Sequence, residues 1–128
     1  MKFKYKIQNS YEQRTQQSFN LIEKHGQMIP VIIELVLKSR WLKEIFNKHK
    51  QFQKMIVRET ISVQDLFNTL KYKYYPQMTP TFGIFIYVGG NKLLLHNSFP
   101  KSLKEFYEQN KDSDGWLYLA LTFQECYG

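Results

Sequence analysis

Three kinds of group in this chain could do chemistry: one thiol (Cys126), three imidazoles (His25, His49 and His96) and the carboxylate of a final glycine, Gly128. A catalytic thiol needs a base such as histidine, and a third group to orient that base, all within reach. The histidines are scattered over a helix end, a basic loop and a hairpin strand, so they form neither a Cys/His pair nor a set with metal-ligand spacing. A single cysteine excludes an intrachain disulfide, and no CxxC pair is present for zinc. No Gly-rich phosphate loop, serine elbow or paired-carboxylate arrangement occurs. The chain is therefore expected to be neither an enzyme nor a metal or cofactor binder. The glycine carboxylate is different. It follows a polar stretch, Thr122-Phe-Gln-Glu-Cys-Tyr127, and a residue without a side chain is what a narrow enzyme channel admits. Such a carboxyl can be adenylated, passed along thiols as a thioester and joined to an amine. Chance places a glycine at any one position about 7% of the time, so this reading needs support from the rest of the chain.

The elements that must carry that end follow from periodicity. Ser10 and Gln13 have capping-box spacing, Tyr11, Arg14, Ser18, Leu21, Ile22 and His25 recur at helical intervals, and Gly26 supplies a stop. Ile29-Pro-Val-Ile-Ile-Glu-Leu-Val36 reads as a strand buried on both faces, with Pro30 at its start or on an edge. The segment from Leu37 to His49 is basic, with Trp41, Leu42, Ile45 and Phe46 at helical spacing, and reads as a short helix or an ordered loop. Gln53 to Arg58 is a strand with the charged ends of a protected edge. Ser62 and Asp65 open a helix with Val63, Leu66, Phe67, Leu70 and Tyr74 on one stripe, and Pro76 and Pro80 bracket a loop. Gly83 to Val88 and Lys92 to Leu95 flank Gly89-Gly-Asn91, a hairpin signal. Ser102 and Glu105 cap a helix carrying Leu103, Phe106 and Tyr107; Asp112-Ser-Asp-Gly115 is a turn, and Trp116 to Leu121 is the last strand. This order implies an α+β chain of β-grasp type, a mixed four-stranded sheet packed on helices with additional N-terminal helices. One domain over residues 1–128 is expected: an N-terminal helical extension (1–26), a core (27–122) with a basic insertion near 37–50, and a tail (123–128).

With 43% hydrophobic and 16% aromatic residues the chain can bury one core. The net charge is +7, concentrated in Lys2, Lys4, Lys6 and the stretch from Lys38 to Lys50. That balance favours acidic partners such as anionic lipid headgroups, acidic peptides or nucleic acid, or else marks a solvated basic surface. A nucleic-acid partner is not expected. The aromatic strand Gly83 to Val88 lacks the interleaved Lys/Arg and Gly of an RNA-recognition strand, and core packing accounts for Phe85 and Tyr87. The longest apolar run, Met28 to Leu37, is broken by Pro30 and Glu34 and falls short of the roughly 20 residues of a membrane span. No signal-peptide pattern opens the chain, so a cytoplasmic location is expected.

Several stretches together resemble a known family. They are Met1-Lys-Phe-Lys-Tyr-Lys6, Glu12 with Arg14, Ile29-Pro-Val-Ile-Ile-Glu34, Asp112-Ser-Asp-Gly-Trp-Leu-Tyr118 and Gln124-Glu-Cys-Tyr-Gly128. The family is that of the autophagy ubiquitin-like modifiers of the GABA-receptor-associated protein and microtubule-associated light chain type. The match runs end to end, except that the segment from about Leu37 to Lys50 is longer than the family's usual connection. The resemblance implies a modifier whose Gly128 is activated by a ubiquitin-activating-type enzyme, relayed by a conjugating-type enzyme and joined to phosphatidylethanolamine on the autophagosomal membrane. A cysteine protease would expose and release that glycine. Two buried acyl chains then hold on the membrane a domain that is otherwise cytoplasmic.

The resemblance also implies capture of cargo receptors through acidic peptides of the pattern aromatic, two residues, aliphatic, added as a strand along Lys54 to Arg58. It implies an aromatic pocket of Leu21, Pro30, Ile32, Lys54, Ile56 and Trp116. The implied aliphatic pocket consists of Met55, Val57, Ile61, Leu66 and Leu70, with Lys54 and Lys73 meeting the peptide's acidic flank. Core and edge packing is the competing account of these apolar residues. Met28, Gln17 and Arg58 depart from the family pattern, where basic, Glu and Pro residues are common. The alternatives are a related autophagy modifier joined to a protein lysine and a non-conjugated basic adaptor domain; the N-terminal Lys-Phe-Lys-Tyr-Lys and the run from Ile29 to Glu34 favour the lipid type.

Overall fold

Local capping decides where the helices begin. A computed structural model describes residues 3–47, 50, 52–74 and 82–125. Helix α1 spans Lys4–Gln8 and α2 spans Tyr11–Lys24. At the start of α2 the Ser10 hydroxyl accepts from the Gln13 amide at 3.2 Å, while the Gln13 side chain accepts from the Ser10 amide at 2.9 Å. Helix α4 (Val63–Tyr74) opens on the same reciprocal pair between Ser62 and Asp65, and α5 (Leu103–Asn110) on Ser102, which accepts from Glu105. Each cap satisfies donors that the first turn leaves without a partner. The basic segment forms a six-residue helix, α3 (Arg40–Ile45), capped by Ser39. Its Leu42 and Phe46 are buried, and the Phe46 ring stacks on Phe123 with centroids 4.9 Å apart.

The strands are β1 (Met28–Val36), β2 (Phe52–Arg58), β3 (Phe82–Val88), β4 (Lys92–Leu93) and β5 (Leu117–Glu125). They form one mixed sheet in the order β2-β1-β5-β3-β4, with β1 and β5 parallel and the other pairs antiparallel. The sheet therefore has five strands where a four-stranded sheet was expected, because the hairpin arm expected from Lys92 pairs with β3 as the two-residue β4 across the Gly89-Gly90 turn. Both turn glycines take positive φ (66° and 92°), which glycine adopts without the clash a Cβ would bring. Pro30 lies in β1 before its pairing with β5 begins at Val31, so only β2 flanks it and its missing N–H breaks no ladder on the inner side.

Strand alternation splits the sheet into two buried faces. Ile29, Val31 and Ile33, with Leu117, Leu119, Leu121 and Phe123, pack on α3, α4 and α5. Ile32, Trp116, Tyr118 and Ala120 pack on the other side against Phe3 and Tyr5 of the N-terminal segment and Leu21 of α2. Burying each such side chain contributes about 1.5–3 kcal/mol, so the N-terminal helices close a second core. The second hairpin arm ends at Leu93, short of the expected Leu95, and His96 opens a short 3-10 helix in place of a strand. The additional N-terminal helices expected are two, α1 and α2, and Phe3 and Tyr5 reach under the sheet. The last strand runs to Glu125 and not Leu121, because Phe123 is buried under α3 and Phe82 to Val88 give the extension a partner. Residues 123–125 therefore belong to the sheet and not to the tail.

Candidate functional site

The turn from Asp112 to Trp116 and the outer edge of β2 lie beside each other on the α1–α2 side of the sheet. The turn is held by a buried carboxylate. Asp114 is fully buried, and its side chain accepts from Arg14 Nε at 2.8 Å, the Tyr118 hydroxyl at 2.6 Å and the Trp116 amide at 3.0 Å. Its carbonyl accepts from the Ser18 hydroxyl at 2.5 Å, and the indole N–H of Trp116 donates to the Arg14 carbonyl at 3.0 Å. Lys6 Nζ reaches Asp112 at 2.7 Å. Burial works against the Arg14 charge, but the bond to Asp114 and the surrounding acidic groups together outweigh it and hold the guanidinium charged more firmly than usual. Burial, with the Asp114 charge second, pushes the Tyr5 hydroxyl up to about 12, and burial with the hydrogen bond to Asp114 raises Tyr118 further. Gly115, at φ 90°, comes so close to α2 that a Cβ would lie 2.5 Å from Ser18 Oγ. The network fixes Trp116 against α2, and Trp116 forms a wall of the neighbouring groove.

That groove, of about 420 Å³, is lined by Gln17, Asn20 and Leu21 of α2, Lys54, Met55 and Ile56 of β2, and Trp116. Strand β2 is one of the two outer strands and, among the described residues, pairs only with β1, so its other side offers unpaired backbone groups to an added strand. Of the six residues expected in an aromatic pocket, Leu21, Lys54, Ile56 and Trp116 line the groove. Pro30 and Ile32 lie buried beneath it, paired in register with Ile56 and Lys54. Gln17, Asn20 and Met55 were missing from the expected set. Asn20 stands one helical turn from Gln17, so α2's own spacing could have indicated it.

The expected aliphatic set divides. Met55, Val57 and Ile61 are half-buried, whereas Leu66 and Leu70 are 4% and 0% exposed and belong to the closed core under α4. A ligand at this edge can touch the first three. Lys54 and Lys73 both reach the N-terminal end of β2, where Lys73 Nζ donates to Gln53 Oε1 and both lysines border a second hollow. Cys126 and Gly128 lie outside the described residues, as does His49. Among the described residues no group of three His, Cys, Asp or Glu is placed to hold a metal ion, and no helix is long and apolar enough to cross a membrane.

A mixed sheet with β1 and β5 parallel at its centre, helices across one face and a two-helix N-terminal cover on the other defines a ubiquitin-like β-grasp protein. The family model described as autophagy protein Atg8, ubiquitin like, matches residues 13–128. The chain belongs to that family. Autophagy-related protein 8A of Oryza sativa subsp. indica is 27% identical over 127 residues, covering 97% of this chain and 94% of its own. Autophagy-related protein 8 of Coccidioides immitis is 27% identical over 128 residues, covering 100% and 99%. The crystal structure of Trypanosoma brucei ATG8 superposes with a TM-score of 0.74 over the full length of both chains at 22% identity, a likeness of fold.

Proposed function

We propose that this chain is an autophagy modifier conjugated through Gly128 to phosphatidylethanolamine, and that it recruits cargo receptors to autophagosomal membranes by adding their aromatic-x-x-aliphatic peptides as a strand on β2. The single observation that carries the docking half is the free edge of β2 beside a groove walled by Leu21, Ile56 and Trp116. Backbone pairing supplies affinity, and alternate side chains supply choice. Positions three apart on a strand point to opposite faces, so an aromatic residue in the groove sends the aliphatic one toward Met55, Val57 and Ile61 on the α4 side. Lys54 and Lys73 attract the acidic flank, and salt weakens that contribution. The conjugation half is supported by family membership, since the family match extends through Gly128.

The chain itself catalyses nothing in this scheme. The activating-type and conjugating-type enzymes form the thioesters, the phospholipid amine displaces the last thiol, and the cysteine protease reverses the bond. The test is incubation with those enzymes, ATP and liposomes containing phosphatidylethanolamine. A faster-migrating adduct removed by phospholipase D is the expected product, and deletion of Gly128 abolishes it. An adduct found only on protein lysines refutes the lipid assignment.

A further inference from the structure

Across the β2 backbone from the aromatic groove, at the N-terminal end of the strand, lies a hollow of about 450 Å³. Its apolar floor is Ile33, Leu35 and Tyr74; its rim carries Lys50, Lys54 and Lys73, and among the described residues no Asp or Glu lines it. Lys54 is also a wall of the aromatic groove, so the two depressions adjoin. The docking reading above, on which this inference rests, fixes the direction of the peptide. Its aromatic residue sits by Lys54 and Ile56 and its aliphatic residue by Val57 and Ile61, so it runs parallel to β2. The residue just before the aromatic one then points to the opposite face. There it meets Gln53, which pairs in register with Ile33, at the mouth of this hollow.

We propose that the hollow is a third side-chain pocket, for the residue immediately preceding the aromatic one, and that it takes phosphotyrosine. An apolar floor of this size matches a ring, and a rim of three ammonium groups without a carboxylate matches a phosphate at the ring's far end. A short carboxylate reaches the lysines without covering the floor, and an unmodified ring covers the floor without satisfying the lysines.

The test is fluorescence polarisation on the full chain, with acidic peptides carrying alanine, glutamate, tyrosine or phosphotyrosine directly before a tryptophan of the pattern Trp-x-x-Leu. Phosphotyrosine is expected to bind about tenfold tighter than alanine, with glutamate and tyrosine between them. Lys73→Ala and Lys50→Ala together should cost the phosphotyrosine peptide about tenfold and the alanine peptide no more than about threefold. Moving the phosphotyrosine one position earlier turns it to the α2 side and should erase the gain; a gain that survives the move is diffuse charge attraction and overturns the pocket. Equal affinities across the series, with tryptophan still required, overturn the pocket and leave edge docking intact. Failure of every peptide to bind overturns both.

Discussion

The Asp112–Trp116 turn and the β2 edge are neighbours that treat polar groups in opposite ways. In the turn, one buried carboxylate takes bonds from Arg14, Tyr118 and the Trp116 amide, and Ser18 satisfies the Asp114 carbonyl. At the edge, Lys54 is exposed and, among the described residues, the outward backbone of β2 has no strand partner. Changes in the turn should therefore appear in folding, and changes at the edge in binding. Trp116 joins the two, since the turn positions it and the groove uses it.

The largest expected effect is at the carboxylate. Asp114→Ala strands the Arg14 charge and should lower the unfolding free energy by about 3–5 kcal/mol; a loss below about 1 kcal/mol in urea denaturation would show that the network does not hold the turn. Gly115→Ala comes next, with a loss of roughly 1–3 kcal/mol from its left-handed backbone and from the contact with Ser18 Oγ. Gly26→Ala, which meets nothing within 4 Å, is the control and should stay within about 0.5 kcal/mol. Ile56→Ala reverses the pattern: peptide affinity should fall about tenfold in calorimetry while stability changes by about 1 kcal/mol or less.

The smallest effect is a pH signature from two carboxyls. Burial alone would raise Asp112, but the Lys6 ammonium and the Asp114 amide hold it below the ordinary carboxylate value. Its contribution is present above the ordinary value of about 3.9 and is lost as pH falls through the lowered one. Glu34 is the opposite case, raised chiefly by burial and only partly relieved by the Lys4 amide at 3.3 Å. Its contribution is complete below its ordinary value of about 4.3 and is lost as pH rises through the raised one. Unfolding measured from acid to neutral pH should show Lys6→Met deleting the first dependence and Glu34→Gln the second. A pH-independent difference from the parent chain in either variant refutes that assignment.

Local signals were the most legible part of the sequence. The pairs Ser10/Gln13, Ser62/Asp65 and Ser102/Glu105 each marked a helix start, because a cap is a contact between residues three apart. The continuous apolar run from Ile29 marked a central strand, and the glycines at 89 and 90 marked a turn. The Thr122–Glu125 extension was hidden because one aromatic among polar residues looks like a tail. The carboxylate network was illegible for a different reason: Arg14 and Ser18 lie 100 and 96 residues from Asp114. The docking edge was half legible. Charged ends identified β2 as outermost, yet Leu66 and Leu70 share a stripe with pocket-facing positions, and periodicity cannot separate an inner wall from an outer one.

Strand β5 begins beside Trp116 and runs without interruption through Glu125. Nine residues of extended chain span about 27 Å, so Glu125 lies at the opposite end of the sheet from Trp116. A rigid strut thus separates that end from the indole that walls the groove, and conjugation as proposed would hold the groove at a standoff from the membrane.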